Sequence, residues 1–313
     1  MRLAGQARPG GSTAFNPFAP ENEADYREWR SWKLENQPAR IEDLIVEIRD
    51  PRALSRAEYE AILRVCRRAN MAIYAGHTGP DPDKGIPRLM GRTFGLERLD
   101  HNMLADDDGV TSLMVANAGE HPNYIPYTNR PIKWHTDGYY NPPECQIRGM
   151  LLHCVQSAAS GGENALMDHE IAYLRLRDEN PDFIRALMAP DAMTIPARLD
   201  EEGVARPAQT GPVFSIHPQS GDLHMRYTAR TRSIAWKQDE TTLAAVAALE
   251  RLLACDSADI YRGRLEPGMG LICNNVLHDR AGFANDETRR RLLYRARYYD
   301  RIGGTGVREV FGR

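Results

Sequence analysis

Near the C-terminus the chain reads Arg291-Leu292-Leu293-Tyr294-Arg295-Ala296-Arg297-Tyr298. Successive side chains of a β-strand point to opposite faces. One face therefore carries Arg291, Leu293, Arg295 and Arg297, and the other Leu292, Tyr294, Ala296 and Tyr298. A strand that packs an apolar face outward and turns guanidinium groups inward needs anions to meet them, because burying an unpaired charge is costly. Those anions are either protein carboxylates in a structural ion-pair network or ligands in a cavity, and arginine suits a two-pronged grip on a carboxylate.

Thirteen residues before Arg291, a second apolar strand, Gly268-Met269-Gly270-Leu271-Ile272-Cys273, runs through Asn274-Asn275-Val276-Leu277 and delivers His278 at its end. Far upstream lies Lys133-Trp134-His135-Thr136-Asp137-Gly138-Tyr139-Tyr140-Asn141-Pro142-Pro143. On an extended strand His135 and Asp137, two residues apart, share a face. An imidazole, a carboxylate and one distant histidine make the two-His-one-carboxylate set of non-haem iron sites. The pair alone has a plainer reading as a hydrogen-bonded couple, since 9 His and 43 acidic residues supply about one His-x-acid pair by composition.

Elsewhere the chain alternates short strand-like runs with Gly/Pro turns and a few helices. Leu44–Ile48 and Met71–Tyr74 read as strands around a helix opened by the capping box Ser55-Arg56-Ala57-Glu58. The aromatics Tyr26, Trp29 and Trp32 recur at helical spacing, and residues 238–255 give the clearest helix, with Leu243, Val246, Ala247, Leu249, Leu252 and Leu253 on its apolar side. The pattern predicts a mainly β domain with flanking helices, a double-sheet jelly roll with insertions. Residues 1–18 read as a flexible tail, 19–313 as one domain, and 76–131 as lid loops that include Asn123-Tyr124-Ile125-Pro126-Tyr127. The acidic run Asp106–Asp108 lacks EF-hand spacing and reads as a solvated loop.

A net charge of −3 gives no electrostatic case for nucleic acid or an anionic membrane. Five scattered cysteines without a C-x-x-C pair favour a reducing compartment, and neither a signal peptide nor a membrane span is legible, so a cytoplasmic protein is expected.

Trp134-His135-Thr136-Asp137 with Pro142-Pro143, then Gly161-Gly162-Glu163-Asn164, His278 and Arg290-Arg291-Leu292-Leu293-Tyr294-Arg295, in that order, resemble the signature of the taurine dioxygenase (TauD/TfdA) family of Fe(II)/2-oxoglutarate-dependent oxygenases. The resemblance runs from about Leu44 to Tyr299, with Leu89–Leu96 similar to the segment ahead of the motif. It implies a double-stranded β-helix of the clavaminate synthase-like kind. It also implies His135, Asp137 and His278 as iron ligands and Arg291 on the distal carboxylate of 2-oxoglutarate. Asn164 stands where a cosubstrate-binding Thr is usual, and Arg295 stands where sulfonate-oxidising members meet the substrate's anion. Three protein ligands leave room for the chelating 2-oxo acid and O2. The implied reaction hydroxylates a C–H bond and releases succinate and CO2, and the carboxylate of Asp137 favours hydroxylation over halogenation.

The expected substrate is a small anionic or zwitterionic molecule: a sulfonate, phosphonate or carboxylate through Arg295 and Arg297, or a quaternary amine against Trp134, Tyr139, Tyr140, Tyr124 and Tyr127. A metal-dependent hydrolase and a non-catalytic small-acid-binding module on the same fold are the alternatives. A dimer or tetramer is expected only by analogy with relatives.

Overall fold

The computed structural model describes residues 15–101, 109–115, 125–200, 203–230 and 234–312. Tyr124, Asn123 and the Asp106–Asp108 run lie outside them.

Two sheets face one another. The larger has six strands in the order Ile45–Ile48, Met71–Gly76, Met269–Cys273, Gly149–Gln156, Leu292–Tyr298 and Val110–Leu113. The first pair is parallel, joined through the helix Arg56–Ala69, and the other pairings of this sheet are antiparallel. Ser55 caps that helix reciprocally with Glu58, as the sequence predicts, and Asn70 ends it in the left-handed region (φ 57°). The smaller sheet runs Tyr261–Gly263, Asn164–Met167, Leu277–Arg280, Ile132–His135. This is the jelly-roll arrangement expected from the strand pattern.

Two apolar clusters hold the fold, and the one on the large sheet also takes in Leu166 and Tyr261 of the small sheet. Ile62, Leu63 and Cys66 of the Arg56–Ala69 helix, with Met90 and Phe94, pack with Tyr74, Leu151, Ile272 and Tyr298 of the large sheet. The helices Glu23–Asn36, His169–Glu179, Pro181–Leu187 and Glu240–Ala254 pack on the small one through Trp29, Tyr173, Ile184, Leu249 and their neighbours. Where described, residues 76–131 are more ordered than their turn-rich sequence predicts: they hold the helix Gly85–Thr93 and the edge strand Val110–Leu113. The expected tail takes in Phe15 and Phe18, which are buried, Phe18 edge-on to both Trp29 and Tyr173. On the helix Glu240–Ala254 the buried face is Thr242, Ala245, Val246, Ala248, Leu249 and Leu253, and Leu243 faces solvent. Val246, Leu249 and Leu253 lie on the expected side, Ala245 and Ala248 join them, and Ala247 is exposed. Among the described residues no helix is long and apolar enough to cross a membrane.

One buried ionic cluster ties the first helix to this scaffold. Lys33, fully buried, places Nζ 2.6 Å from both Asp168 Oδ2 and Glu170 Oε2. Asn70 donates to Asp168, and Asn274 donates to Asn70, so the cluster reaches the turn that precedes His278.

Candidate metal centre

The strand Leu277–Arg280 lies antiparallel to Ile132–His135 with His278 directly opposite His135. The two imidazole centroids are 4.2 Å apart. Asp137 follows His135 by two residues, and Thr136 between them points the other way, fully buried, its Oγ1 accepting from the Tyr227 N–H. One ligand atom from each of His135, Asp137 and His278 lies within 4.8 Å of the others. Gly138 then turns the chain away at φ 68°, where a Cβ would stand 2.4 Å from Ile147.

The orientation of the ligand atoms is fixed from behind. His135 Nδ1 is 2.9 Å from the Lys133 carbonyl and His278 Nδ1 is 2.9 Å from the Val276 carbonyl. A carbonyl accepts only, so both Nδ1 atoms carry the proton and both Nε2 lone pairs are left for a metal. Burial and the neighbouring His135 push the His278 pKa down to about 4, which keeps its imidazole neutral. Burial would raise the Asp137 carboxyl, but Arg295, His135, Arg297 and His278 hold it well below the usual range. Asp137 is thus a buried carboxylate whose Oδ2 makes no hydrogen bond: Arg295 Nη1 donates to Oδ1 at 3.3 Å and passes 3.2 Å from Oδ2 without hydrogen-bond geometry. Two imidazole nitrogens and an orphaned carboxylate oxygen are a donor set that fits a divalent ion of the Fe(II) class.

Asn275 is the residue that sequence reasoning passed over. Buried and at φ 52°, it accepts from the Asp137 N–H at 2.8 Å and donates to the Asp137 carbonyl at 2.9 Å and the Ile147 carbonyl at 2.7 Å. It stitches the His278 turn to the His135–Asp137 segment. Its signal was the Asn-Asn pair at a strand end, since Asn tolerates the left-handed region better than other side-chain-bearing residues.

The inward arginines have different fates. Arg291 is buried, and no carboxylate pairs with it among the described residues; burial pushes its pKa down to about 10. It lines a small cavity with Gly162 and Asn164, next to the His278 strand. Asn164 spends one amide N–H on the Asp279 carbonyl at 2.7 Å, which leaves a second. Arg297, expected to face an anionic ligand, is instead buried against Asp100 and donates to the Tyr140 hydroxyl at 3.1 Å. Burial works against its charge, but Tyr140, Asp137 and Asp100 outweigh it and raise its pKa. Asp100 arrives from a loop in the 76–131 region, a long-range pairing the strand's own sequence does not announce. Arg295 is half committed: Nη1 serves Asp137 while Nε is buried without a partner.

Tyr139 and Tyr140 lie beside the three ligand residues, Tyr139 edge-on to His135 at 6.5 Å and to Tyr140 at 5.2 Å. Ile125–Tyr127, the described end of the expected lid, is tied down by Arg280, whose guanidinium donates to the carbonyls of Pro126, Thr128 and Arg130. His153 and His169 are buried away from the ligand set, His153 on the Tyr74 hydroxyl and His169 near the Leu223 carbonyl.

Residues 33–297 match the family model described as taurine catabolism dioxygenase TauD, TfdA family. The chain belongs to the TauD/TfdA family. Within curated relatives it is 33% identical over 170 residues to a uridine-5'-phosphate dioxygenase of Amycolatopsis sp, a match over 53% of this chain and 60% of that protein, and so less than two thirds of the relative's length. A uridine-5'-phosphate dioxygenase of Streptomyces sp is 31% identical over 203 residues, covering 61% of this chain and 69% of that one. Among solved structures the fold resembles the non-heme iron oxygenase OrfP in complex with Fe and alpha-ketoglutaric acid (TM-score 0.59, 17% identity, 86% of this chain and 89% of that chain). It also resembles PvcB from Pseudomonas aeruginosa (TM-score 0.55, 18% identity, 85% and 88%). At these identities the structural likeness speaks to fold, and the double-stranded β-helix is common to this family member and its neighbours.

Proposed function

We propose that the protein is an Fe(II)- and 2-oxoglutarate-dependent dioxygenase that hydroxylates a C–H bond of a small anionic molecule and releases succinate and CO2. The observation that carries this reading is the convergence of one ligand atom each from His135, His278 and Asp137 within 4.8 Å, with Asp137 Oδ2 buried and without a hydrogen bond. These three residues would hold the iron. Arg291, with Asn164 beside it, would hold the distal carboxylate of 2-oxoglutarate, an anion that no described residue supplies to its buried guanidinium. With iron, 2-oxoglutarate and O2 bound, the site supplies a four-electron reduction of O2, two electrons from decarboxylation of the 2-oxo acid and two from the substrate's C–H bond.

The protein's own part is positional. The Lys133 and Val276 carbonyls fix the imidazole tautomers, Asn275 fixes the backbone of Asp137, and Arg295 orients its carboxylate. Buried Tyr139 and the Arg280-clamped segment 126–130 help close the site against water. The curated relatives act on uridine-5'-phosphate by name, which makes a nucleoside monophosphate the first substrate class to test.

The test is anaerobic addition of Fe(II) and 2-oxoglutarate, followed by visible absorbance. A metal-to-ligand charge-transfer band is expected, absent in His135→Ala and in Arg291→Ala at moderate 2-oxoglutarate, and shifted to higher Fe(II) concentration in Arg295→Ala, which loses the group that orients Asp137. No band in the parent protein, or activity with Zn(II) alone, would sink the oxygenase reading in favour of a hydrolase.

A further inference from the structure

Of the cations near the centre, Arg297 is spent on Asp100 and Arg295 serves Asp137. One further guanidinium remains beside the tyrosine pair. Arg206 ends the strand Gly203–Arg206, which pairs antiparallel with Arg198–Asp200. Its guanidinium carbon lies 5.7 Å from the centroid of the Tyr140 ring. The Tyr140 hydroxyl accepts from Arg297, Tyr139 packs edge-on to Tyr140, and Tyr139 packs edge-on to His135. Three ring contacts in series therefore lead from His135 to Arg206.

Arg206 is half-buried, and what it touches is neutral. Nη1 donates to the Pro207 carbonyl at 3.0 Å and Nη2 to the Pro196 carbonyl at 2.7 Å. Of its five N–H groups three are left over. The groups that act on its charge are Tyr139, Tyr140 and the like-charged Arg198 opposite it in the strand register; among the described residues no carboxylate joins them. Like charges placed cross-strand repel. Two carbonyl anchors hold a planar donor fork rigidly in that position, which is the arrangement suited to a two-pronged grip on phosphate.

We propose that Arg206 is a specificity-determining residue that grips the phosphate of a nucleoside monophosphate, with the faces of Tyr139 and Tyr140 lining the same side of the site. The assignment rests on the proposed function for the substrate's class but not for the geometry. It puts the anion contact on the Arg198–Arg206 hairpin, whereas the strand pattern had pointed to the large-sheet arginines.

The experiment is anaerobic titration calorimetry of iron- and 2-oxoglutarate-loaded protein with uridine-5'-phosphate and, separately, with uridine. Parent protein is expected to bind the phosphate more tightly than the nucleoside. Arg206→Gln keeps a neutral donor and should weaken uridine-5'-phosphate about 10- to 100-fold, the loss of a charge-assisted contact, while the uridine Kd stays within about twofold. Arg206→Lys should fall between, and it decides the matter if the Gln variant does not fold. Unchanged uridine-5'-phosphate affinity in Arg206→Gln, or parent protein that binds the nucleotide no better than the nucleoside, overturns the proposal and leaves the oxygenase reading standing. Absence of the visible band would instead remove the oxygenase reading, while the calorimetry still reads the phosphate grip directly.

Discussion

Replacing Asn275 by Ala tests how the metal centre is held together. The substitution leaves three buried backbone groups without partners: the Asp137 N–H, the Asp137 carbonyl and the Ile147 carbonyl. Each orphaned group costs about 1–3 kcal/mol. Alanine at φ 52° adds about 1 kcal/mol of backbone strain. Even at the low end the total is about 4 kcal/mol, a large share of the roughly 5–15 kcal/mol that holds a domain folded. Asn275→Gly loses the same three bonds without the strain and should be about 1 kcal/mol less harmful. Because the bonds grip the backbone of Asp137, the damage should also reach the metal. Iron affinity, titrated anaerobically with 2-oxoglutarate, is expected to fall about 10- to 100-fold, the usual range for residues that orient a ligand. Urea unfolding of the metal-free protein reads the first effect and the visible band reads the second. If Asn275→Ala shifts stability by less than about 0.5 kcal/mol, or loses stability with iron affinity intact, the stitching argument is wrong.

Lys33→Met strands the carboxylates of Asp168 and Glu170 in the interior and should cost about 3–5 kcal/mol in urea unfolding; adding Glu170→Gln should recover part of it, and no recovery would deny the ionic account. His153, buried on the Tyr74 hydroxyl, has its pKa pushed down to about 4 by burial, so the unfolded chain takes up a proton near pH 6.5 that the fold refuses. Its stabilising contribution is therefore complete above about pH 6.5 and declines as pH falls to about 4, by up to roughly 3 kcal/mol. His153→Gln should show a shallower acid slope than the parent. Gly270→Ala would set a Cβ 2.2 Å from the Tyr74 ring and 2.4 Å from the Leu152 carbonyl, and thermal unfolding should register a loss of at least about 2 kcal/mol.

Several features needed nothing beyond the sequence. The alternation through Leu292–Tyr298, the capping box at Ser55 and the i, i+2 relation of His135 and Asp137 are local, and local rules of side-chain direction and backbone capping fix them. The small strands and turns of the jelly roll were legible for the same reason, and the family match bears out the resemblance to the TauD/TfdA family.

Tertiary structure decided everything that depends on which distant group arrives opposite. His278 meets His135 only because two strands pair in one register. Among the described residues Arg291 meets no carboxylate while Arg297 meets Asp100, although both look alike along the chain. Asn275, Arg280 and Arg206 take their roles from backbone carbonyls, amides and rings that sequence spacing does not bring near. A side chain's direction is set by its own backbone, whereas its partner is set by the packing of the two sheets and the loops between them.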